Sequence, residues 1–305
     1  MNISLEILYN LTSIFYKGKI VIEKINEKQN ILNDNIGFVE NWDFSRANLN
    51  EENRILAITQ VASICYQNPK ALGSESLYNK LMAESMGLPS SSFEFVPVLL
   101  TAKKLRKIGS IINKEDYVKH DFEYNVTKFG EMIEDGKYLL TNLRALIADV
   151  GEYAKEFYNT PEECEIIKQH FKVFLYKVDL PTRSQMVRHR VSWQELSRRY
   201  VSGSKVPFEF YVSEKMKNVK SFSNPYGYEC DTQDIIRICL DHYDEAIAAG
   251  VKPQEARRII PQAAYTQIWG AFQPKQLKNY FKLRLDKTAQ WEIQQTAIAM
   301  QELIK

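Results

Sequence analysis

Several features that mark common protein classes are scarce or missing in this sequence. The 305 residues include only four cysteines, and none of them form a CxxC pair. This pattern predicts neither a zinc site nor a disulfide framework, and it is typical of reduced thiols in a cytoplasm. The longest apolar stretches, such as residues 95–100, are far shorter than the roughly 20 residues that span a bilayer. We therefore expect a cytoplasmic protein with no export signal and no membrane segment.

An excess of charge of one sign is also absent. The chain has 40 Lys and Arg against 38 Asp and Glu, which leaves a formal net charge of +2. This balance argues against a protein that adheres to nucleic acids or membranes through its overall charge. Because 45% of the residues are hydrophobic, the chain has enough apolar side chains for one large or two ordinary domains. Any basic site must be local.

Hydrophobic patterns divide the chain into helices and strands. Asn50 is a predicted helix N-cap, and residues 232–249 have the spacing of a second helix that ends before a glycine. Residues 170–181 alternate as a strand does. Residues 141–164 fit one long helix that stops before Pro161, and residues 275–303 fit another helix.

The densest polar sequence lies at residues 183–200, which contain five arginines and one histidine. A cationic cluster is most often a solvated surface, but apolar residues are interleaved with these charges. Arginines anchored in this way suit phosphate and carboxylate recognition, because a planar guanidinium makes paired hydrogen bonds to such groups. Ser197 adds a hydroxyl beside Arg198 and Arg199, which indicates a monophosphate site.

A second candidate lies in the last predicted helix, where Arg284 is flanked by leucines. It is either a binding residue or one partner of a structural ion pair with Asp286 or Glu292. Asn279, five residues earlier, is either part of the same site or a surface amide. On their own, Arg257 and Arg258 are best interpreted as two arginines on the protein surface.

Four motifs in order resemble the flavin-dependent thymidylate synthase family: RHR, ELSRRY, EARRIIP and LKNYFKLRLDKTAQWEIQQ. The family's hallmark is RHR followed by seven residues and Ser, and its C-terminal helix carries an N-F-L-x-L-R segment. The similarity is clear over residues 171–303 and weaker over residues 55–100.

The resemblance implies an α+β fold, with a curved antiparallel sheet and packed helices. Residues 51–100 and 171–305 would form the family domain, with residues 1–50 as an N-terminal extension and residues 101–170 as a helical insertion. The family also implies a homotetramer whose active sites are shared between subunits.

The implied activity is the FAD-dependent methylation of dUMP to dTMP, with methylenetetrahydrofolate as carbon donor and NADPH as reductant. Arg284 would be catalytic, stabilising negative charge that develops on the uracil ring. The residues implied to bind dUMP are Gln185, Arg188, Glu195, Ser197, Arg198, Arg199, Arg257 and Arg284. The residues implied to bind FAD are Ser91, Glu94, Arg188, His189, Arg190, Glu195, Gln273, Lys275 and Asn279.

The sequence departs from the family pattern in three places. Six residues, not seven, separate RHR from Ser197. Pro89 stands where the family has His, and Ser92 stands at a proline position. Gln273 and Lys275 replace an Asn and an Arg, and Lys cannot reproduce a guanidinium fork.

Two other functions stay open. One is a catalytically impaired homologue that binds flavin or nucleotide in a non-catalytic role, which the shortened loop and Pro89 favour. The other is a basic nucleic-acid-binding module built on RHR and RRY, against which the near-zero net charge argues. We predict no metal site, no nucleic-acid partner and only small-molecule substrates.

Overall fold

The computed structural model describes residues 13–16, 19–25, 30–31, 36–83, 88–112, 124–217, 219–223 and 229–305. The strands, in chain order, are β1 (Ser13–Tyr16), β2 (Lys19–Lys24), β3 (Asn30–Ile31), β4 (Phe38–Asp43), β5 (Pro97–Thr101), β6 (Glu131–Ile133), β7 (Tyr138–Asn142), β8 (Lys172–Asp179), β9 (Ser192–Glu195), β10 (Ser221–Ser223), β11 (Glu229–Cys230) and β12 (Tyr265–Phe272).

The helices, in chain order, are α1 (Glu51–Tyr66), α2 (Glu75–Met82), α3 (Ala102–Ile112), α4 (Asn125–Lys128), α5 (Leu143–Val150), α6 (Pro161–His170), α7 (Leu180–Met186), α8 (Glu214–Lys217), α9 (Thr232–Ala248), α10 (Pro253–Ala256), α11 (Pro274–Arg284) and α12 (Trp291–Leu303). Short 3₁₀ helices lie at Pro69–Ala71, Ser91–Phe95, Gly151–Glu156 and Arg257–Ile259. In the described part of the chain, no helix is both long enough and apolar enough to cross a membrane.

The main sheet has seven strands in the order β1-β2-β4-β8-β12-β9, with β3 paired to β4. Each pairing is antiparallel, and β8 pairs along its whole length with β12, from Lys172 opposite Phe272 to Asp179 opposite Tyr265. The strand predicted at residues 170–181 is confirmed as β8, but the predicted alternation is wrong, because four successive residues, 173–176, are all buried. With helices packed against these antiparallel strands, the α+β class is also confirmed.

Each face of the sheet contributes to its own hydrophobic core. Val173, Leu175 and Trp269 pack on one side with α1, β5, β7 and α5. On the opposite side, Phe174 and Ile268 pack with α7, α11 and α12. Because successive residues of a strand point to opposite faces, β8 and β12 are buried on both sides. The loops at their ends therefore start from a rigid framework.

The two long helices predicted from periodicity are each broken, so those predictions were wrong. The first predicted helix already ends at Gly151, which has φ +55° and caps α5; a 3₁₀ helix, Gly151–Glu156, follows, and α6 begins at Pro161. Residues 275–303 divide into α11 and α12. Between them the Asp286 side chain accepts hydrogen bonds from Thr288, and the Gln294 amide donates to the carbonyls of Leu285 and Asp286. Periodicity alone does not reveal such side-chain caps.

The region expected to be a helical insertion contains helices and also a β-hairpin. Strands β6 and β7 pair with β5 to form a three-stranded sheet. The turn between them holds Glu134, Asp135 and Gly136, which have φ of +50°, +54° and +84°. The Asp-Gly dipeptide favours such a turn. Residues 101–170 are therefore joined to the preceding part of the chain through the pairing of β7 with β5.

Candidate functional site

The RHR motif lies in the turn that joins α7 to β9. Helix α7 begins directly at the end of β8, where the Asp179 side chain accepts from the backbone N–H of Thr182 at 3.1 Å. The His189 N–H donates to the carbonyl of Met186 at 3.1 Å, and the Trp193 indole donates to the carbonyl of His189 at 3.1 Å. These bonds fix the His189 backbone between the helix and the next strand.

Arg284, at the last position of α11, reaches this turn. Its Nε donates to Nε2 of His189 at 2.8 Å, and Nη2 donates to the carbonyl of Gln185 at 2.9 Å. Asp286 and Glu292 instead bond to Thr288 and Gln290. The hypothesis of an ion pair between Arg284 and one of these two carboxylates is therefore wrong.

The electrostatics of this contact set the protonation state of His189. The residue is 7% exposed, and burial together with the adjacent Arg284 charge lowers its pKa to about 4. At neutral pH the ring is therefore uncharged, with Nε2 accepting from Arg284 and the ring proton on Nδ1. Burial also lowers the pKa of Arg284, and the like charge of Arg188 adds to this effect. The guanidinium remains protonated because its ordinary pKa is far above 7.

The motif and the helix form the walls of a cleft of about 430 Å³. It is lined by Arg188, His189, Arg190, Val191, Lys275, Gln276, Asn279, Leu283 and Arg284. Arg188, Arg190 and Lys275 are exposed, and none of these three cations has an ion pair with a carboxylate of the described residues. The cleft therefore combines a cationic lining with ring and aliphatic surface, which suits an anionic ligand that has a planar ring.

Tyr280 forms the base beneath His189. Its ring centroid lies 4.7 Å from that of His189 and 5.5 Å from that of Phe272. The side chain is fully buried, and its hydroxyl has no hydrogen-bond partner among the described residues. Burial therefore raises the pKa of this phenol well above its ordinary value.

Glu195 is held at the edge strand beside β12. Its Oε1 accepts from Arg183 Nε at 2.8 Å and from the Thr266 hydroxyl at 3.0 Å. The neighbouring Gln194 accepts from the Ser91 hydroxyl at 2.8 Å. Ser91 therefore contacts β9, the strand that contains Glu195, and neither Ser91 nor Glu195 lines the cleft.

Three of the predicted nucleotide-binding arginines lie away from the cleft. Arg198 donates to the carbonyls of Val206 and Pro207 and lies 4.1 Å from the centroid of the Phe208 ring. Burial lowers its pKa to about 10. Arg199 donates to Gln254, the second residue of α10, at 3.3 Å.

Arg257 follows α10 and is exposed. Arg199 bonds to Gln254, and Arg257 lies only three residues further along the chain. Arg199 is therefore close to the end of α10. Ser197 precedes this group, and its N–H donates to the carbonyl of Cys65 at 3.2 Å. Of the predicted dUMP residues, Arg188 and Arg284 therefore line the cleft, whereas Ser197, Arg198, Arg199 and Arg257 do not.

The insertion engages residues that were expected to hold a flavin. Glu94 pairs with Arg144 of α5 at 2.7 Å. The Gln273 amide donates to the carbonyl of Phe129 at 2.8 Å, and the N–H of Lys275 donates to Glu131 Oε2 at 2.9 Å. Sequence reasoning did not identify these partners, because nothing in the sequence of the insertion indicates which part of the domain it contacts.

Sequence reasoning also missed Gln276. This side chain donates to the carbonyl of Arg190 at 3.0 Å, and its Oε1 accepts from the Gln273 N–H at 2.9 Å. The reciprocal bonds of Gln273 and Gln276 form a capping box, with Pro274 at the first helical position. The Q-P-x-Q spacing was the signal that would have identified Gln276.

In the described residues, no group of three or more His, Cys, Asp or Glu side chains has the arrangement of a metal site. The donors of the cleft are instead guanidinium, ammonium, amide and imidazole groups. Such donors bind phosphate and the polar edges of planar rings. They therefore fit a phosphate-bearing flavin.

Comparisons with known proteins agree with the motifs. A family model described as thymidylate synthase complementing protein matches residues 161–305. A flavin-dependent thymidylate synthase of Thermotoga neapolitana is 32% identical over 136 residues, which cover 44% of this chain and 62% of that protein. One from Pyrococcus furiosus is 28% identical over 177 residues, covering 52% of this chain and 70% of the relative.

A third relative, the flavin-dependent thymidylate synthase of Thermococcus onnurineus, is 35% identical over 119 residues. The match covers 38% of this chain and 46% of that protein. The chain thus spans 62% of the length of the Thermotoga relative and less than half of the Thermococcus relative.

Proposed function

We propose that this chain is a divergent flavin-dependent thymidylate synthase, because the family model described as thymidylate synthase complementing protein matches residues 161–305. The reaction would convert dUMP to dTMP, with FAD as cofactor, methylenetetrahydrofolate as carbon donor and NADPH as reductant. The observation that carries the proposal is the bond between His189 and Arg284, which brings the RHR motif and the C-terminal helix to one cleft.

In this proposal the cleft binds the flavin. Arg188, Arg190 and Lys275 would hold its phosphates, and Asn279 and His189 would contact the ring system. Bound flavin supplies the hydride and relays the one-carbon unit. The residues of the chain would orient the reactants. Neutral His189 accepts a hydrogen bond from Arg284 through Nε2, and this bond holds the guanidinium in one orientation.

Arg284 would act on the uracil ring. Methylation at C5 requires negative charge to spread over the O4, C4 and N3 atoms, and a preorganised cation stabilises that charge as it develops. Arg284 is held by His189 and the Gln185 carbonyl, so it needs little reorganisation.

A second group of residues would bind the nucleotide phosphate. Ser197, Arg198, Arg199 and Arg257 lie apart from the cleft of the same chain, whereas Gln185 and Glu195 lie closer to the motif. A homotetramer with shared active sites accounts for this separation, because one copy's arginines would meet another copy's cleft. Exposed apolar side chains on α9, Ile235 at 36% and Ile238 at 57%, support burial against another copy. We also propose that the protein acts in the cytoplasm.

A second candidate, a homologue that binds flavin or nucleotide without catalysis, is favoured by one specific observation. The insertion engages three residues assigned to the flavin, through the pairs Glu94 with Arg144, Gln273 with Phe129 and Lys275 with Glu131.

Turnover and the visible spectrum separate these candidates. The full chain is purified, its flavin absorption is recorded with and without added FAD, and dTMP is measured after addition of dUMP, methylenetetrahydrofolate and NADPH. A yellow protein that forms dTMP supports the synthase. A yellow protein that forms none supports the non-catalytic homologue. A folded protein that binds no flavin contradicts the synthase, and one that binds neither flavin nor dUMP contradicts both.

A further inference from the structure

Among the described residues, the insertion contacts the wall of the cleft at the N-terminus of α11. The carbonyl of Phe129, which follows α4, accepts from the Gln273 amide, and Glu131, the first residue of β6, accepts from the backbone N–H of Lys275. Through Gln276 the same turn is bonded to the carbonyl of Arg190. A chain of hydrogen bonds thus runs from the insertion to the RHR motif.

Glu131 introduces a negative charge beside a cationic site. The first turn of a helix has free N–H groups and a partial positive charge, and anions are stabilised there. In α11 a carboxylate of the same chain takes this position, at 2.9 Å from the Lys275 nitrogen. Lys275 itself lines the cleft together with Arg188 and Arg190. A phosphate that enters the cleft therefore meets three cations, and the Glu131 carboxylate lies next to one of them, on the backbone N–H of Lys275.

We propose that Glu131 is a specificity-determining residue, which lowers the affinity of the cleft for ligands in proportion to their phosphate charge. The insertion would in this way tune a phosphate-binding cleft that the family domain provides. The inference rests on the proposed function in taking flavins as the ligands of the cleft, but the charge effect applies to any anion bound there.

Glu131→Gln separates charge from geometry. The glutamine side-chain oxygen still accepts from the Lys275 N–H, so the first turn of α11 keeps its partner, and only the negative charge is lost. Removal of one like charge near a bound phosphate is expected to tighten binding about three- to tenfold at low salt. Glu134→Gln is the matched control, because it removes the same charge from the same hairpin while Glu134 faces His170, at 2.6 Å.

The experiment measures dissociation constants of riboflavin, FMN and FAD by fluorescence quenching, for the wild-type chain and both variants. We expect Glu131→Gln to bind FAD and FMN more tightly than the wild type and to bind uncharged riboflavin equally well. The difference in affinity for FAD and FMN should shrink as the salt concentration is raised. Glu134→Gln should match the wild type. Unchanged or weaker FAD binding by Glu131→Gln, or an equal gain for riboflavin, would overturn the inference.

Inorganic pyrophosphate, titrated by calorimetry, makes the result independent of the proposed function. If the wild type binds no flavin but Glu131→Gln binds pyrophosphate more tightly than the wild type, the proposed function fails and the charge effect stands. If flavins bind and Glu131→Gln has no effect, the inference fails and the proposed function stands. If no variant binds either kind of ligand, both are overturned.

Discussion

His189 and Arg284 are 95 positions apart in the sequence and are joined by a hydrogen bond of 2.8 Å. The acceptor is a buried imidazole whose pKa is lowered to about 4, so the bond requires the uncharged ring. Protonation of His189 would place a second positive charge against the guanidinium and remove the acceptor. The hydrogen bond between His189 and Arg284 should therefore break in acid.

Acid should destabilise the fold through His189. Because its pKa is about 4 in the folded chain and near 6.5 when unfolded, the unfolded state binds more protons between these values. Stability therefore falls as pH decreases from about 6.5 towards 4. With allowance for solvent screening, we expect the wild type to lose about 1 kcal/mol more between pH 7 and pH 5 than His189→Gln does.

Urea unfolding of both proteins at the two pH values measures this difference, and other titrating groups cancel in the comparison. Equal losses for the wild type and His189→Gln would contradict the assigned protonation state.

Tyr280→Phe should stabilise the protein. The hydroxyl is buried and lacks a partner among the described residues, and such a group costs about 1 to 3 kcal/mol. Tyr176→Phe is the control, since the Tyr176 hydroxyl lies 3.3 Å from the sulfur of Met300. A higher urea midpoint for Tyr280→Phe than for Tyr176→Phe is expected. A lower midpoint would indicate that the Tyr280 hydroxyl is satisfied in solution.

Arg183 should act on the nucleotide through Glu195. Arg183→Ala removes the partner 2.8 Å from Glu195 Oε1 and leaves that carboxylate with the Thr266 hydroxyl. If Glu195 contacts dUMP, the KM for dUMP should rise about tenfold with a smaller change in kcat, because one positioning contact of about 1 to 2 kcal/mol is lost.

Arg237→Ala is a suitable control for Arg183→Ala, since it breaks an exposed ion pair with Asp234. A loss confined to kcat, or one of equal size in Arg237→Ala, would exclude a role of Arg183 in nucleotide binding.

None of the four cysteines should be the nucleophile. Burial raises the pKa of Cys164 to about 11, and a thiol with such a pKa carries little thiolate at neutral pH. Cys65 bonds to Gln194 and to the carbonyl of Glu195. Replacement of all four residues by Ser or Ala should keep dTMP formation within about tenfold of the wild type. A folded, flavin-binding variant that forms no dTMP would show that a thiol is essential.

Much of the fold follows from local sequence signals. Asn50 caps α1 as predicted, through its bond to the Asn53 N–H, and the predicted strand is present as β8, although it is buried on both faces. The hairpin of β6 and β7 could also have been predicted from its Asp-Gly turn, but the Lys- and Glu-rich sequence around it favoured helix. The break at Asp286 depends on side-chain caps that spacing does not reveal.

The site was predictable in its residue types and less so in its partners. Arg284 was singled out by its apolar neighbours, but its bond to His189 arises from the packing of α11 against the sheet. The contacts of Gln273 and Lys275 with the insertion likewise depend on tertiary structure. Long-range pairings of this kind have no periodicity that one sequence could display.

We propose that the cleft between the RHR motif and α11 forms dTMP by stabilising negative charge on the uracil ring. The most direct test compares dTMP formation at saturating dUMP and FAD by the wild type, Arg284→Ala and Arg258→Ala, the last being an exposed arginine paired with Glu255. We predict that Arg284→Ala lowers kcat about a hundredfold or more, because the lost interaction strengthens in the transition state, while Arg258→Ala retains wild-type turnover. Equal turnover by the wild type and Arg284→Ala, or no dTMP from a folded, flavin-loaded wild type, would contradict the account.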